Sequence, residues 1–551
     1  MENVAHKLPH GNKYGSVNTN LMGYNGAVVT NHWLASSVGK TILSNGGNAF
    51  DAACAVSFAL GVVEPQNSGI GGDGYIMLFE KDKNKVSVIN GTGPAPEYSD
   101  RIKDKLHQKG LKSSSVPGLV SAVLKMHEKL GLLDLEKCIK PSIGMCTQGV
   151  PLSAGQAASL ISESQINRFN SSMKIWGSEK NQYKLAGDKI INLDLAKTLR
   201  KIIEEGHKGF YEGVIADQIV NYSNQNDGYL SLNDLKNFSA EIQEPISTDY
   251  RNNKIFESPP NSSGVTLLQQ LNIIENFSKS DLEPLSPHAI HIMSEAKRLA
   301  FYDREKFLAD PKFVDIPLDK LLSKAYANEL SKRISLDNKR ISNEELELSY
   351  QPDSVGDTTY FAILDQHGNA VSQLQSIQTA WGSGDVVDNT GILMNNRMTY
   401  WHLDPNHINK LVPGKRVRHT MNPVMVFSGS NQELKIICGT PGADTQVQTN
   451  MQVLSALLDH DLTVGQAVSL PRWTHYQNLT ESTAPHSTPE FISLEENISN
   501  EAKDFLKKKG HDIKEVSAWG GKGSEGMIQI SNKGLISAAV DPRRDGQALV
   551  W

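Results

Sequence analysis

The pattern of apolar and polar positions near the start of the chain predicts two helices followed by a hairpin. Residues 35–44 have helical periodicity, a glycine pair interrupts it, and Asn48 can cap a second helix. The apolar positions of that second helix are Ala52, Ala53, Val56, Ala59 and Leu60. The apolar run 75–79, a charged turn and the run 86–89 then indicate a β-hairpin.

The second half of the chain begins with a change of character. Residues 117–341 are predicted to be mainly helical, whereas 342–357 are first acidic and polar and then rich in Pro, Gly and Asp, which is typical of an exposed linker. Residues 358–365 predict a strand, a turn follows, and 370–377 predict the return strand. A linker therefore leads directly into a hairpin whose first residue is Thr358.

Composition limits the classes of function. A chain of 551 residues can bury a large core, and by length alone it predicts several domains. The net charge of -6 and the lack of basic runs argue against nucleic acid and anionic membranes as partners. The four cysteines form no CxxC pair and are interpreted as reduced core residues. Residues 1–25 lack an apolar signal region, and the apolar stretch 52–63 is too short to span a bilayer, so we expect a cytoplasmic protein.

Two motifs with possible chemistry have simpler interpretations, and three common signatures are absent. The loop 69–74 matches G-x-G-x-x-G, but it precedes a strand instead of opening a helix, which argues against a dinucleotide site. His288, His291 and Glu295 share one helix face and could ligate a metal, although a polar stripe is the favoured interpretation. The serine-hydrolase elbow, the P-loop and H-E-x-x-H do not occur.

Thr358 gains catalytic meaning only if the chain is cut in front of it. A Thr hydroxyl inside a chain has no built-in base, whereas a terminal Thr carries an α-amino group, with a pKa of about 7.7–8.0, that can take the hydroxyl proton. The bond between Asp357 and Thr358 is suitably placed for attack by the Thr358 hydroxyl on the preceding carbonyl. On this local pattern alone, a threonine that simply begins a strand is the favoured interpretation.

Short motifs follow one another in a fixed order along nearly the whole chain. In the first half they are SNGGNAFDAA (44–53), GGDG (71–74), SVPGLV (115–120), PPNSSG (259–264) and EAKRLAFYDR (295–304). In the second half they are GDTT (356–359), GNAV (368–371), GILMNN (391–396), PGKR (413–416) and GTPG (439–442). This series resembles the γ-glutamyltransferase family of N-terminal-nucleophile hydrolases. The resemblance implies an α/β fold of four αββα layers and autocatalytic cleavage into a large subunit, 1–357, and a small catalytic subunit, 358–551, that stay interlocked.

The resemblance also implies the catalytic roles. Thr358 takes the position of the family's nucleophile. Ser376 replaces the threonine that hydrogen-bonds the nucleophile, and it keeps the hydroxyl. Gly442 and Ala443 take the paired-glycine position whose backbone N–H groups form the oxyanion hole, a role that a small side chain leaves intact.

The substrate pocket departs from the family pattern. Segment 90–96 lacks the arginine that binds the substrate α-carboxylate in true γ-glutamyltransferases, and Tyr400 stands where an acidic residue binds the α-ammonium. His419 and Thr420 replace paired serines, and Gln378 replaces an asparagine. Without the two charged anchors, a glutamyl zwitterion loses interactions worth roughly 1.5–3 kcal/mol each.

Arg397 is new at its position and could bind a carboxylate by a bidentate contact; the alternative is a structural pair with an acidic neighbour. The substitutions are more similar to the family's amidase branch, which includes cephalosporin-acylase-like and oxamate-amidohydrolase-like members, than to glutathione enzymes. We therefore expect a small amide substrate with an acidic acyl group, Arg397, Tyr400, His419, Thr420 and Gln378 near it, and no metal or organic cofactor.

Two alternatives stay open from the sequence. The chain could be an authentic glutathione hydrolase or γ-glutamyltransferase that binds its substrate through Arg397, Thr420 and further groups. It could also be an unprocessed, inactive relative that serves as a binding or scaffold protein. The expected protein partners are the two subunits of one precursor, with a dimer of processed heterodimers also possible.

Overall fold

Two seven-stranded sheets form the centre of the protein. The structure, a computed structural model, describes residues 20–163, 165–178, 182–336, 356–429, 432–478 and 480–551, with side chains in the fourth range from Thr358 onward. The strands are β1 Leu21–Gly23, β2 Ala27–Thr30, β3 Asp73–Glu80, β4 Lys85–Gly91, β5 Val150–Pro151, β6 Lys189–Ile190, β7 Glu241–Gln243, β8 Ile246–Tyr250, β9 Asn253–Glu257, β10 Gly356–Leu364, β11 Ala370–Thr379, β12 Val386–Val387, β13 Ile392–Leu393, β14 Val424–Ser428, β15 Leu434–Gly439, β16 Trp473–Tyr476, β17 Phe491–Glu495, β18 Ile513–Val516, β19 Gly526–Ile530, β20 Ile536–Val540 and β21 Gln547–Val550.

Helices cover the outer face of each sheet. They are α1 Trp33–Ser44, α2 Ala49–Val63, α3 Leu119–Leu130, α4 Leu135–Gln148, α5 Ala154–Ser162, α6 Asn170–Trp176, α7 Leu193–Glu205, α8 Lys208–Tyr211, α9 Gly213–Gln225, α10 Leu232–Lys236, α11 Gly264–Ile274, α12 Pro287–Phe307, α13 Leu318–Leu321, α14 Lys324–Ser331, α15 Gln446–His460, α16 Val464–Ser469 and α17 Asn500–Lys508. Within the described residues, none of these helices combines the length and the apolar character needed to cross a bilayer.

The strand order shows how the two halves of the chain interlock. The first sheet runs β21-β2-β10-β11-β3-β4-β7 and the second β1-β20-β19-β15-β14-β9-β8. Segments 1–357 and 358–551 both supply strands to each sheet, and β11 is hydrogen-bonded between β10 and β3. A cut before Thr358 would therefore leave two pieces that both contribute strands to each of the two sheets.

Side chains of β10 alternate between two cores, which explains the four layers. Tyr360 and Ala362 point into the core between the sheets, whereas Phe361 and Ile363 point into the core under helices α1 to α9. A third core lies between the second sheet and the helices that include α11, α12 and α15. The predicted αββα arrangement is confirmed.

The predicted elements around the hairpins are also present. Asn48 caps α2 with its side chain, and Asp51 returns the bond to the Asn48 N–H at 2.9 Å, which completes a capping box. Strands β3 and β4 form the first predicted hairpin, and β10 and β11 form the second. Strand β10 begins at Gly356, two residues earlier than predicted. The rest of the predicted linker, 342–355, lies outside the described residues.

Candidate active site

A β-bulge places Thr358 opposite Ser376. Asp357 pairs with Gln378, but Thr359 pairs with Gln375, so two residues of β11 face Thr358 alone. The Thr358 Oγ1 donates to the Ser376 Oγ at 3.3 Å. Bulges are frequent beside active sites because the extra residue re-aims a side chain.

The surroundings of this pair are buried and held by backbone contacts. Thr358 is 3% exposed, and its carbonyl accepts Nη1 of Arg544 at 3.0 Å. The Ser376 hydroxyl accepts the N–H of Gln378 at 2.8 Å. Gln378 has a φ of 90°, which is unusual for a residue with a side chain, and its Nε2 donates to Thr483 at 2.9 Å. The serine is thus oriented towards Thr358 by the local chain path.

The turn at residues 442–445 presents two backbone amides. Gly442 has a φ of 126° and Ala443 a φ of 51°, and the turn ends where α15 begins. Neither N–H makes a hydrogen bond to any residue that the structure describes. The turn packs against β10, and the N-terminal end of α15 adds partial positive charge. These two amides are suited to a developing negative charge on a carbonyl oxygen.

An ion-pair network holds this turn in place. The Asp444 carboxylate accepts the N–H of Ser482 at 2.8 Å and its hydroxyl at 2.7 Å. The same carboxylate pairs with Arg304 of α12. Arg304 also pairs with Glu305, which pairs with Arg418 at 2.7 Å. Fully paired buried charges of this kind give the turn a defined position.

A second buried cluster lies across the sheet from Thr358. On β3, Asp73 is directly opposite Ser376. Arg397 donates to Asp73 through Nε at 3.1 Å and Nη2 at 3.0 Å. The His419 Nδ1 accepts the N–H of Met421, so its proton sits on Nε2 and is donated to Asp73 at 3.1 Å. Of the two interpretations left open for Arg397, the structural ion pair is present.

The charges in this cluster follow from burial and pairing. Burial raises the pKa of Asp73, but the opposite charge of Arg397 and the contact with His419 outweigh it and hold that pKa below its usual value. Burial and the nearby Arg397 lower the pKa of His419 to about 4, against the pull of Asp73. At neutral pH the cluster is therefore one carboxylate, one guanidinium and a neutral imidazole.

Tyr400 and Thr420 complete the group of predicted pocket residues. The two hydroxyls are 3.3 Å apart, and both side chains are buried. The Arg397 guanidinium lies 4.7 Å from the centre of the Tyr400 ring, a cation–π distance. Arg397, Tyr400, His419 and Thr420 are thus brought together, whereas Gln378 reaches to the other side, towards Thr483.

A small cavity opens beside the 442–445 turn. Its volume is about 50 Å³. The lining residues are Lys297, Phe301, Gly442, Ala443, Asp444, Thr445, Gln448, Thr474, His475, Tyr476, Glu481, Thr483 and Lys522. Burial, then the positive charge of Arg304, lowers the pKa of Lys297 to about 7. Burial and the charge of Asp444 raise the pKa of Glu481 to about 7, against Lys297 and Arg304.

Sequence reasoning did not single out three of these residues. Asp73 lies in the glycine-rich motif 71–74, where the sequence pattern assigned its carboxylate no separate role. Lys297 lies in a helical motif, and a lysine there is ordinarily exposed. Glu481 lies in a polar segment with no periodic pattern. For none of the three does the local sequence carry a signal, since their burial depends on elements distant in the chain.

The other candidate sites have structural explanations. The loop 69–74 is followed by β3, as predicted, and it opens no helix. His291 contacts His511 at 2.8 Å and the carbonyl of Ser335 at 2.9 Å, while Glu295 pairs with Arg298 at 3.2 Å. The polar-stripe interpretation of this helix face is therefore the one that the contacts support.

The cysteines are all buried and free, as predicted. One group with metal-ligand chemistry occurs in the described part of the chain, formed by Asp51, His127 and Cys138 with ligand atoms within 4.8 Å of one another. Asp51 is also the capping-box residue of α2 and accepts the backbone N–H groups of Leu132 and Leu133. The group lies in the helical layer over the first sheet, away from the pair of Thr358 and Ser376.

The αββα layers are those of the N-terminal-nucleophile hydrolase fold. The family model "Gamma-glutamyltranspeptidase" matches residues 35–551, and the chain belongs to that family. It is 34% identical over 543 residues to the "Glutathione hydrolase-like YwrD proenzyme" of Bacillus subtilis (strain 168), covering 97% of this chain and 100% of that one. It is 32% identical to the "Acylase ACY 1 proenzyme" of Pseudomonas sp. (strain V22), covering 95% and 93%. The crystal structure of cephalosporin acylase from Bacillus halodurans superimposes with a TM-score of 0.87 at 31% identity over 99% of each chain.

Proposed function

We propose that this chain is a proenzyme that cuts its own bond between Asp357 and Thr358 and then works as an amide hydrolase or acyl transferase through Thr358. The observation that carries the proposal is the bulge that sets the Thr358 hydroxyl against Ser376. The same strand packs against the turn whose two amides make no hydrogen bond to any described residue. The names of the relatives, both called proenzymes, support the cleavage step.

The maturation step follows from the position of Thr358. Its Oγ1 attacks the carbonyl carbon of Asp357, the C–N bond breaks, and an ester forms while the Thr358 nitrogen becomes a free amine. Water then hydrolyses the ester, which leaves a carboxylate on Asp357 and restores the threonine hydroxyl. Ser376 orients the attacking oxygen through its hydrogen bond.

The same atoms then act on a substrate amide. The new α-amine takes the proton from Oγ1, which attacks the carbonyl carbon, and the N–H groups of Gly442 and Ala443 bind the oxyanion. The amine leaves with that proton, and an acyl ester remains on Thr358. Water, or a second amine, releases the acyl group.

We propose an acidic acyl group instead of a γ-glutamyl zwitterion. In segment 90–96, Asn90 bonds Asn261 at 2.9 Å and the carbonyl of Thr92 accepts Arg416 at 2.8 Å, so these groups are engaged within the protein. Tyr400 supplies a hydroxyl where an α-ammonium would need a carboxylate. The acylase relative and the acylase structure favour this substrate class, whereas the glutathione hydrolase-like relative keeps the γ-glutamyl alternative open.

Denaturing gel electrophoresis of the purified protein tests the maturation. We expect two fragments, residues 1–357 and 358–551, with an intact chain for Thr358→Ala and renewed cleavage for Thr358→Ser, which keeps the hydroxyl. A wild-type chain that stays intact would support the inactive binding protein instead. If Thr358→Ala is cut, the autocatalytic step is wrong.

Turnover by the processed protein tests the substrate class. The assay compares glutaryl p-nitroanilide, γ-glutamyl p-nitroanilide and oxamate at equal concentrations. We expect the glutaryl compound or oxamate to be turned over better than the γ-glutamyl compound, because the ammonium of the latter has no carboxylate partner at Tyr400. Preference for the γ-glutamyl compound would favour the glutathione enzyme.

A further inference from the structure

The cavity beside the 442–445 turn contains a lysine with an incomplete set of partners. Lys297 is 1% exposed. Its Nζ lies 3.3 Å from the Gln477 Oε1 and 3.7 Å from the centre of the Phe301 ring. An ammonium has three N–H donors, and among the residues that the structure describes no carboxylate lies within 4.0 Å of this one. A buried ammonium without a counter-ion is costly, so the site favours an anion.

The two buried arginines of the same helix are neutralised by carboxylates, which makes the buried Lys297 distinct. Arg298 pairs with Glu295 at 3.2 Å and also with Glu490. Arg304 pairs with Asp444 and Glu305. Among the described residues, Lys297 is therefore the cation of α12 that lines this cavity and has no carboxylate partner.

Arg397, the cation that the sequence offered, is less suited to binding the carboxylate of an acyl group. Two of its nitrogens hold Asp73, so its charge is compensated inside the protein. An acidic acyl group needs another positive group within reach of the carbonyl carbon. Lys297 lines the same cavity as Gly442 and Ala443, whose amides face the carbonyl oxygen in the proposed reaction.

Glu481 is the second titratable side chain of the cavity that has no ion-pair partner among the described residues. Its carboxyl makes no ion pair or side-chain hydrogen bond with any residue that the structure describes. Burial raises the pKa of Glu481 to about 7, so below that pH the carboxyl is protonated and can donate one hydrogen bond. An ammonium and a neutral carboxyl that line the same cavity can each bind one oxygen of a carboxylate.

We propose that Lys297, assisted by the Glu481 carboxyl, binds the terminal carboxylate of the substrate's acyl group in the cavity beside Gly442 and Ala443. The inference rests on the proposed function, since it places the acyl chain between this cavity and Thr358. The ligand class is a monoamide of a dicarboxylic acid, in which the free carboxylate reaches Lys297 while the amide carbonyl lies at the turn.

A preference ratio tests the anchor with the processed enzyme. The ratio of kcat/KM for glutaryl p-nitroanilide to that for butyryl p-nitroanilide isolates the carboxylate, because the two acyl chains differ mainly in that group. We expect Lys297→Met to lower this ratio about tenfold or more, in line with the loss of a charge-assisted contact. Lys306→Met, at an exposed position of the same helix, is the matched control and should keep the ratio of the wild type.

The pH dependence of the same preference ratio tests the anchor in the wild-type enzyme, where no substitution can disturb folding. The groups around Lys297 that affect its charge are Arg298, Arg304, Asp444, His475, Glu481 and Lys522. Because Lys297 loses its proton and Glu481 gains charge as pH rises through about 7, the glutaryl preference should fall between pH 6 and pH 8. Glu481→Gln, which stays neutral, should reduce that fall. A ratio independent of pH and of Lys297 would overturn the proposal.

Three further outcomes separate this inference from the proposed function. A Lys297→Met effect on butyryl 4-carboxyanilide, with none on the glutaryl compound, would place the carboxylate on the leaving group and refute the anchor as stated. A selective loss of γ-glutamyl turnover in Glu481→Gln would show a zwitterion site instead. If no anilide is turned over, titration of glutarate into the wild-type protein and into Lys297→Met decides. Binding that depends on Lys297 supports the anchor while the proposed reaction fails, and equal binding rejects the anchor.

Discussion

The hydroxyl of Thr358 donates to the hydroxyl of Ser376 across 3.3 Å at the bulge between β10 and β11. Because the serine also accepts a backbone N–H, from Gln378 at 2.8 Å, its own orientation is set by the chain. The pair therefore gives the threonine oxygen a defined direction before any cleavage occurs.

Removal of the Ser376 hydroxyl should slow maturation. A neutral hydrogen bond contributes about 0.5–1.5 kcal/mol, so we expect Ser376→Ala to lower the rate of self-cleavage about two- to tenfold. Ser376→Thr keeps the hydroxyl and should mature close to the wild-type rate. The rate is measured as the appearance of the two fragments on denaturing gels, and equal rates for the alanine and wild-type chains would remove Ser376 from the step.

The bond between Arg397 and Asp73 should be important for stability. Breaking a buried pair leaves an uncompensated charge, so Asp73→Asn and Arg397→Met should each lower the free energy of unfolding by about 3–5 kcal/mol. The double variant should be less affected than the sum of the two. Urea denaturation measures both values. Asp194→Asn, which removes an exposed pair with Lys197 at 2.8 Å, is the control and should cost less than about 1 kcal/mol.

The two positions of the oxyanion turn should respond differently to a methyl group. A Cβ on Gly442 would lie 2.4 Å from the Thr445 Oγ1, at a φ of 126° that disfavours side chains. Gly442→Ala should therefore reduce acyl transfer about a hundredfold, comparable to the loss of one oxyanion donor. Ala443→Gly removes left-handed strain of about 1 kcal/mol and should keep activity. Steady-state kinetics and thermal unfolding read out the two effects, and a fully active Gly442→Ala enzyme would contradict the assigned role.

Glu525 should make stability depend on pH. Burial raises its pKa to about 8, with Arg472 opposing and Asp541 reinforcing the shift. Between its ordinary value of 4.5 and about 8, the folded protein holds a proton that the unfolded chain has lost, so this group lowers the free energy of unfolding by about 1.4 kcal/mol per pH unit as pH rises.

The variant Glu525→Gln isolates that dependence. Its free energy of unfolding, relative to the wild type, should increase steadily from pH 5 to pH 8 in urea titrations. The difference should level off above about pH 8, where both states of the wild type carry the charge. A constant difference across the range would show that Glu525 does not titrate late in the folded protein.

The local elements were predictable because their signals lie within a few residues. Asn48 begins α2 where a side chain must satisfy free N–H groups, and the apolar runs around Thr358 specify a hairpin. The ordered motifs also predicted the αββα layers and the family, since each motif is a local packing or turn requirement. Local composition predicted a linker before Thr358, whereas β10 begins at Gly356, two residues earlier, and 342–355 lie outside the described residues.

Only the tertiary structure decided which charges are free for a ligand. The sequence left open whether Arg397 binds a substrate or pairs with an acidic neighbour, and β3 brings Asp73 to it from 324 residues away. A lysine in a helical motif is ordinarily exposed, yet Lys297 is buried and lines the same cavity as Glu481 and the 442–445 turn. Pairing and burial of charges depend on distances between remote segments, which local patterns do not encode. The sequence thus determined the fold and the candidate nucleophile of this protein, and the packing of its layers decided which buried charges are paired within the protein.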